Sequence, residues 1–246
     1  MKNYIKNLKL LTKNHVYSKE MEHDACGVGA IVSTEGKKSR IIVEYGIEAL
    51  KAVWHRGAVD ADGKTGDGAG IHLEIPKDFF IEKIEVTGHD YDNSEICVGM
   101  IFLPRNDYSA QESCKTIVES ELTRNNFSIY GWRQVPVNPK ILGQKALQTM
   151  PEIMQVLFKS NDKNLLNKDL ERKIYETRKK IENKAFQLSL NNFYICSISS
   201  KSIIYKGLYL AEGISDFYLD LKDKRFISRF AIFHQRFPQT LLLAGA

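Results

Sequence analysis

The chain is poor in the features that mark metal-binding, secreted and membrane proteins. Its 246 residues include only four cysteines, and none of them form a Cys-x-x-Cys pair, so neither a zinc site nor a disulfide framework can be read from them. Cys97 and Cys196 lie in apolar, strand-like runs and are expected to be buried thiols. No apolar run is long enough to cross a bilayer, and the first 25 residues lack the apolar stretch of a secretory signal peptide. We therefore expect a cytoplasmic protein with reduced thiols and no metal site.

Charge of one sign is not concentrated anywhere in the sequence. The net charge is +5, but the densest basic run, at residues 172–184, is interleaved with Glu171, Glu176 and Glu182. This mixture predicts a solvated helix face with ion pairs one turn apart, and it argues against a nucleic-acid-binding patch. Hydrophobic residues make up 43% of the chain, enough for the core of one large domain or two small ones.

Hydrophobic periodicity predicts strands and helices in irregular alternation. The predicted strands cover residues 27–33, 69–75, 96–103, 128–136, 153–158 and 226–234, with a hairpin at 193–205. The predicted helices cover residues 41–54, 110–123, 165–181 and 215–221, and a helical turn begins at Pro76. Irregular alternation favours an α+β fold over a doubly wound parallel sheet.

One cysteine stands in a setting that suggests chemistry. Cys26 lies between a polar leader and an apolar, strand-like run, and two glycines follow within three residues. Glycine has no Cβ, so a ligand or another backbone segment can approach the thiol closely. If residues 1–25 were removed, Cys26 would carry both a thiol nucleophile and a free α-amino group. That amine, with a reference pKa of about 8, could act as the general base.

Short sequence blocks occur along the chain in a fixed order, and together they resemble one known family. The blocks are residues 22–29, 55–58, 60–62, 65–71, 131–137, 194–197, 205–207, 217–221 and 234–237. They resemble the amino-terminal glutaminase domain of the glutamate synthase large subunit, a class II glutamine amidotransferase, from about residue 17 to residue 237. The sequences HRGA at 55–58 and TGDGAGI at 65–71 separate this family from other class II amidotransferases.

The resemblance implies a fold, a domain division and an activity. The fold would be α+β, the four-layer αββα sandwich of N-terminal-nucleophile hydrolases, incomplete at its C-terminus. Residues 1–25 would be a leader, and residues 26–246 a partial amidotransferase domain. The activity would be hydrolysis of glutamine to glutamate and ammonia through a thioester on Cys26, in glutamate biosynthesis and ammonia assimilation.

The resemblance also implies roles for individual residues. Arg236, in the HQRF segment, would hold the α-carboxylate of L-glutamine, a task that suits the rigid fork of a guanidinium group. Arg56 and Gly57 would form a turn beside the nucleophile. Asp67 and Gly68 would belong to a glycine-rich loop that packs against the site, and this loop lacks the spacing of a phosphate-binding motif.

The family pattern continues past the end of this sequence. The Asn-Gly pair of its oxyanion hole, the FMN-binding synthase domain and the iron–sulfur cluster would lie beyond Ala246, so the resemblance implies no cofactor in this chain itself. The implied partners are L-glutamine, the synthase domain of the parent subunit and its small subunit. Restoring one nucleotide before the codon of Pro238 allows codon choices that reproduce most of the family's continuation, so a frameshift is a hypothesis here.

Alternatives to an active glutaminase remain open. A chain without the oxyanion donors could be a catalytically inactive fragment that binds glutamine weakly at most. It could also be another N-terminal-nucleophile enzyme, although the blocks at 55–58 and 65–71 argue against this. The two histidines of the blocks, His55 and His234, could be bases, but the mechanism does not need them and a structural imidazole is favoured.

Overall fold

The computed structural model describes residues 5–7, 9–10, 13, 27–165 and 167–236. From residue 27 onward, the strands are β1 (Gly27–Val32), β2 (Ala69–Glu74), β3 (Cys97–Leu103), β4 (Phe127–Gln134), β5 (Glu152–Ser160), β6 (Tyr194–Ser199), β7 (Ser202–Gly207) and β8 (Phe230–Gln235). The α-helices are α1 (Arg40–Ala52), α2 (Lys77–Val86), α3 (Tyr108–Arg124), α4 (Gln144–Gln148), α5 (Asn167–Gln187) and α6 (Ile214–Phe217). Short 3-10 helices cover Trp54–Arg56, Pro139–Ile141, Ala211–Gly213 and Leu219–Lys222.

The strands form two antiparallel sheets. The first sheet has the order β1-β8-β2-β7, and the second has the order β4-β5-β3-β6. In the first sheet, β8 lies between β1 and β2 and pairs with both, so the strands nearest the two ends of the described chain are neighbours. The sheets touch through their side chains, since Gln155 of β5 donates a hydrogen bond to the hydroxyl of Tyr205 of β7.

Helices cover one face of each sheet. Helix α1 packs on the first sheet, and a Cβ added at its Gly46 would lie 2.4 Å from the Cβ of Ala231, so the glycine permits this close packing. Helices α3 and α5 pack on the second sheet. The stripe predicted for α5, Leu170, Ile174 and Ile181, is buried there, because residues three, four and seven apart share one helix face. The α+β fold class expected from the sequence is confirmed.

The predicted hairpin at residues 193–205 is wrong. Strands β6 and β7 are joined by a short turn, but β6 pairs with β3 in the second sheet and β7 pairs with β2 in the first. The chain therefore crosses between layers at this turn. Glu171 of α5 holds it by accepting hydrogen bonds from the backbone N–H and the hydroxyl of Ser200, both at 2.7 Å.

Two other predicted elements have different bounds. The strand predicted from residue 226 begins only at Phe230, because the preceding backbone is bonded elsewhere: Ser228 pairs with Ser39, and the N–H of Arg229 donates to Glu74 at 2.6 Å. The turn predicted at Pro76 is a ten-residue helix, α2. Its Phe79 and Phe80 are buried, and this packing stabilises a helix whose sequence pattern is weak.

A buried ion pair is part of a hydrogen-bond network that joins the two sheets. The two terminal nitrogens of Arg133 in β4 donate to the two carboxylate oxygens of Asp220 at 2.7 and 2.9 Å. Arg133 also donates to Gln155, and the hydroxyl of Tyr205 donates to Asp220 at 3.1 Å. Asp220 is only 4% exposed. The network links β4 and β5 of the second sheet to β7 of the first.

Removing one half of this pair should cost far more stability than removing an exposed pair. In Asp220→Ala, Arg133 keeps its charge in a buried position without its partner, and the free energy of unfolding should fall by about 3–5 kcal/mol. Equilibrium unfolding in urea measures the change. The control is Glu176→Ala, which removes the exposed pair with Arg172 on α5 and should cost less than about 1 kcal/mol. Equal losses would contradict the role assigned to burial.

Candidate functional site

One end of the first sheet gathers most of the residues that the sequence singled out. At this end β1 begins at Gly27, β2 begins at Ala69, and β8 ends at Gln235, with Gly27 and Ala69 both opposite Gln235. The loop before β2 and the residue after β8 therefore meet beside the start of β1. Cys26 lies outside the described residues, and its neighbour in sequence, Gly27, is at this end.

Arg236 follows β8 and contacts the loop before β2. Its backbone N–H donates to the carbonyl of Gly68 at 2.8 Å, and its Nε lies 3.4 Å from Oδ2 of Asp67. Its φ is +77°, in the left-handed region that residues other than glycine rarely adopt. Such strain persists where surrounding contacts hold the residue in place, and it clusters at functional sites. The side chain of Arg236 is 44% exposed, so a ligand can reach it.

The turn at Arg56 and Gly57 packs against the same end of the sheet. It closes a 3-10 helix, with the N–H of Gly57 donating to Trp54 at 3.0 Å. A Cβ added at Gly57 would lie 2.0 Å from Nε2 of Gln235 and 3.1 Å from Oδ1 of Asp67, so only glycine fits without displacing them.

All five described candidates are thus brought together: Arg56, Gly57, Asp67, Gly68 and Arg236. Arg56 borders the start of β1, because a Cβ built on Gly27 would lie 3.3 Å from its Cβ.

The loop that carries Asp67 is held by its own side chains. Asp62 accepts hydrogen bonds from the hydroxyl of Thr65 at 2.6 Å and from its backbone N–H at 2.7 Å. These bonds, the hydroxyl of Thr65 first, keep the pKa of Asp62 well below its usual value. Asp60 pairs with Lys145 of α4 at 2.6 Å. The block at residues 60–62 therefore stabilises the conformation of the loop through these contacts.

Gln235 lies among the candidate residues, although the sequence analysis did not single it out. It is 1% exposed, and its Nε2 lies 3.5 Å from Oδ1 of Asp67. Its Oε1 is buried and has no hydrogen-bond partner among the described residues, and the same is true of Oδ2 of Asp67, whose contact with Arg236 is an ion pair without a hydrogen bond. The sequence did indicate that this side chain is buried. Side chains alternate between the two faces of a strand, and along β8 this alternation puts Gln235 on the same buried face as Ala231 and Phe233.

A cavity of about 170 Å³ lies beside Gln235. Its lining consists of residues 57–59 and 210–212 together with Trp54, Gly63 and Gln235. The cavity therefore touches the turn that is proposed to flank the nucleophile, and it brings the 3-10 helix Ala211–Gly213 to the site, which no sequence motif indicated.

The two histidines differ in their surroundings. His55 is exposed, whereas His234 is half-buried on the face of β8 opposite to Gln235. Burial lowers the pKa of His234, and the nearby charge of Asp67 partly opposes this shift. This placement agrees with a structural role for His234, since its side chain points away from the face that carries Gln235.

The three described cysteines are buried in the core, as expected for Cys97 and Cys196. Burial raises the pKa of Cys114 to about 11 and that of Cys196 to about 12, and it raises the pKa of Cys97 well above its usual value. Over the described ranges, no group of three or more His, Cys, Asp or Glu side chains is placed to hold a metal ion. Within the same ranges, no helix combines the length and the apolar character needed to span a bilayer.

Comparison with known proteins identifies one matching family and relatives that agree with one another. The family model of class-II glutamine amidotransferases matches residues 26–241. The chain is 52% identical over 231 residues to the glutamate synthase [NADPH] large chain of Azospirillum brasilense, which covers 94% of this chain and 15% of that protein. It is 38% identical over 218 residues to the chloroplastic ferredoxin-dependent glutamate synthase of Spinacia oleracea, covering 88% of this chain and 13% of that protein. The chain thus spans 13–15% of the length of these relatives.

The buried cysteines should resist alkylation in the folded chain. The thiolate is the reactive form, and burial keeps Cys97, Cys114 and Cys196 protonated and out of reach near pH 8. Native chain treated with iodoacetamide should gain a single adduct, at Cys26, whereas chain unfolded in urea should be modified at all four cysteines. Intact mass and peptide mapping give the answer. Modification of the three buried thiols as fast as Cys26 would show that this assignment is wrong.

Proposed function

The chain belongs to the class-II glutamine amidotransferases, and on this premise we propose that it is the glutamine-hydrolysing domain of a glutamate synthase. The observation that carries the proposal is the meeting of Arg236, Asp67 and the Gly57 turn at the sheet end where β1 begins, one residue after Cys26. Similarity to glutamate synthases over 88–94% of the chain supports the choice of family branch.

Cys26 is the nucleophile of the proposed reaction. Its sulfur attacks the γ-carbonyl carbon of L-glutamine, a carbon–sulfur bond forms, and the carbon–nitrogen bond breaks. The nitrogen leaves as ammonia with the proton that the thiol gave up. Water then cleaves the γ-glutamyl thioester, which yields glutamate and restores the thiol. Removal of residues 1–25 would expose the α-amine of Cys26, and this amine carries the proton from the sulfur to the leaving nitrogen.

Arg236 binds the α-carboxylate of glutamine in this proposal. A guanidinium group presents parallel N–H donors that match the two oxygens of a carboxylate. Asp67 contacts the Nε side of the guanidinium at 3.4 Å and so orients the group. The turn beside the nucleophile requires glycine at position 57, because a side chain there would collide with Gln235.

The remainder of the overall reaction would take place outside these 246 residues. A glutamate synthase transfers the released ammonia to 2-oxoglutarate and reduces the adduct to a second glutamate. We assign FMN and the iron–sulfur cluster to the synthase domain of the parent subunit, and we expect a small subunit as its partner. The biological role would be glutamate biosynthesis and ammonia assimilation in the cytoplasm.

Replacing the nucleophile should abolish glutamine hydrolysis. The Cys26→Ser variant should release glutamate from L-glutamine no faster than a blank without protein, because a hydroxyl is a far weaker nucleophile than a thiol under these conditions. The matched control is Cys97→Ser, which changes a buried thiol in β3 of the second sheet and should retain the wild-type rate. Turnover that survives Cys26→Ser would contradict the proposal, and a wild-type chain without turnover would favour the inactive, glutamine-binding alternative.

Replacing Arg236, the residue proposed to bind the α-carboxylate, should weaken glutamine binding. Arg236→Lys keeps the positive charge but loses the bidentate fork, so the Kd for L-glutamine should rise about tenfold to a hundredfold. Isothermal titration calorimetry measures the change. Arg229→Lys is the control, since Arg229 pairs with Glu74 at the other end of β8, and its Kd should match that of the wild type. An unchanged Kd in Arg236→Lys would show that Arg236 does not bind the α-carboxylate of glutamine.

A further inference from the structure

The loop before β2, at residues 58–67, folds back on itself, and it is called the Asp67 loop below. The N–H of Asp67 donates to the carbonyl of Ala58 at 3.2 Å, and the N–H of Asp60 donates to the carbonyl of Thr65 at 2.9 Å. The closed end of the loop lies beyond Asp60 and Thr65, and its open end carries Asp67 of the candidate site.

The hydroxyl of Thr65 connects the Asp67 loop to the second sheet. Thr65 is only 4% exposed. Its hydroxyl donates to Oδ2 of Asp62 at 2.6 Å and accepts a hydrogen bond from the N–H of Ala146 in α4 at 3.3 Å. Helix α4 belongs to the connection between β4 and β5, which are neighbours in the second sheet. One buried hydroxyl therefore joins the loop that carries Asp67 to an element of the other sheet.

The contact between the Asp67 loop and the start of α4 leaves no free space. A Cβ added at Gly143 would lie 2.2 Å from Oδ2 of Asp62 and 2.3 Å from the hydroxyl oxygen of Thr65. Beside this contact, Nζ of Lys145 pairs with Asp60 at 2.6 Å. The closed end of the loop is therefore held against α4 by hydrogen bonds, by an ion pair and by close packing.

Asp67 lies between two segments that are held in place. Thr65 is two residues before it, and Ala69, two residues after it, begins β2. The residues between them contact Arg236 twice, since Gly68 accepts its backbone N–H at 2.8 Å and Oδ2 of Asp67 lies 3.4 Å from its Nε. The left-handed backbone of Arg236 depends on such contacts, because it is costly without them. Movement of the loop at Thr65 would therefore disturb Arg236.

We propose that Thr65 is a positioning residue for glutamine binding, since its hydroxyl, held between Asp62 and α4, fixes Asp67 and thereby the guanidinium of Arg236. This inference rests on the proposed function, in which Arg236 binds the α-carboxylate of glutamine. Thr65 acts through Arg236 and needs no contact with the substrate. The second sheet thus affects glutamine binding through α4, although the candidate residues lie at one end of the first sheet.

Removal of the hydroxyl at unchanged side-chain shape tests the inference. Thr65→Val takes a donor from Asp62 and leaves the N–H of Ala146 without its acceptor. In a chain that also carries Cys26→Ser to prevent turnover, the Kd for L-glutamine, measured by calorimetry, should rise about tenfold, the effect of weakening one hydrogen bond to a charged group. Thr65→Ser keeps the hydroxyl and should restore the Kd to within about twofold of the unmodified position.

A second buried threonine provides the matched control. Thr177 of α5 is 0% exposed, and its hydroxyl donates to the carbonyl of Lys173 at 2.8 Å. Thr177→Val removes a buried hydroxyl in the same way but leaves the Asp67 loop intact, so it should not change the Kd. An equal rise in Kd for Thr177→Val and Thr65→Val would show that the effect is a general loss of stability, and it would overturn the inference.

A double-mutant cycle tests whether Thr65 acts through Arg236. When Arg236→Lys is already present, Thr65→Val should raise the Kd by less than about twofold, because the group that it positions is gone. If the two substitutions instead multiply their separate effects on the Kd, Thr65 acts by another route and the proposal is wrong.

Hydrogen exchange reports the positioning without a ligand. The backbone N–H of Arg236, bonded to Gly68, should exchange at least about tenfold faster in Thr65→Val than in the wild type, because its local opening becomes easier. Gly143→Ala places a Cβ 2.3 Å from the hydroxyl oxygen of Thr65. It should raise the exchange rate and the Kd in the same direction, and it takes the place of Thr65→Val if that variant folds poorly.

The outcomes separate this inference from the proposed function. If the Cys26→Ser chain binds no glutamine, the proposed function fails, and the assignment of Thr65 to glutamine binding fails with it. If that chain binds glutamine, but neither Thr65→Val nor Gly143→Ala changes the Kd, only the role of Thr65 is lost. A Thr65→Ser chain that binds as weakly as Thr65→Val would also overturn the role of the hydroxyl.

Discussion

The antiparallel pairing of β1 with β8 is the constraint on which the rest of the site depends. The two strands come from opposite ends of the described chain, so their pairing closes a loop that contains nearly every other element. Closing such a loop costs chain entropy, and the apolar surface buried between the sheets and under the helices offsets that cost. Because Gly27 lies opposite Gln235, the start of β1 and the end of β8 meet, and the loops at Gly57 and Asp67 can complete the site there.

The sequence blocks that carry the family resemblance include residues that stabilise the fold as well as candidate site residues. Arg133 and Asp220 belong to two of the blocks that carry the family resemblance, and they form a buried ion pair with each other. A buried pair of this kind adds little net stability compared with a well-packed apolar pair, but it penalises any arrangement that separates its members. Part of the resemblance therefore reflects how the two sheets are joined.

The backbone at two positions, Gly57 and Arg236, lies close to other residues of the candidate site and fixes their arrangement. Gly57 is pressed against Gln235 and Asp67, and Arg236 adopts a left-handed backbone conformation while its N–H is bonded to Gly68. The left-handed backbone of Arg236 costs free energy, and it persists because neighbouring contacts hold the residue in place. The result is a cation, a carboxylate and a buried carboxamide held at fixed positions beside the first residue of β1.

The sequence by itself determined the local elements and the kind of chemistry. The periodicity of α5 predicted its buried stripe of Leu170, Ile174 and Ile181, and the short motifs predicted the candidates from Arg56 to Arg236. Periodicity reports which face of an element is buried, but it does not report what lies against that face. For that reason the hairpin at residues 193–205 was predicted wrongly, and Gln235 was missed although its face was readable. Only the tertiary structure decided that β6 and β7 enter different sheets and that Gln235, Asp67 and Gly57 are in contact, because pairing between distant segments depends on the packing of the whole chain.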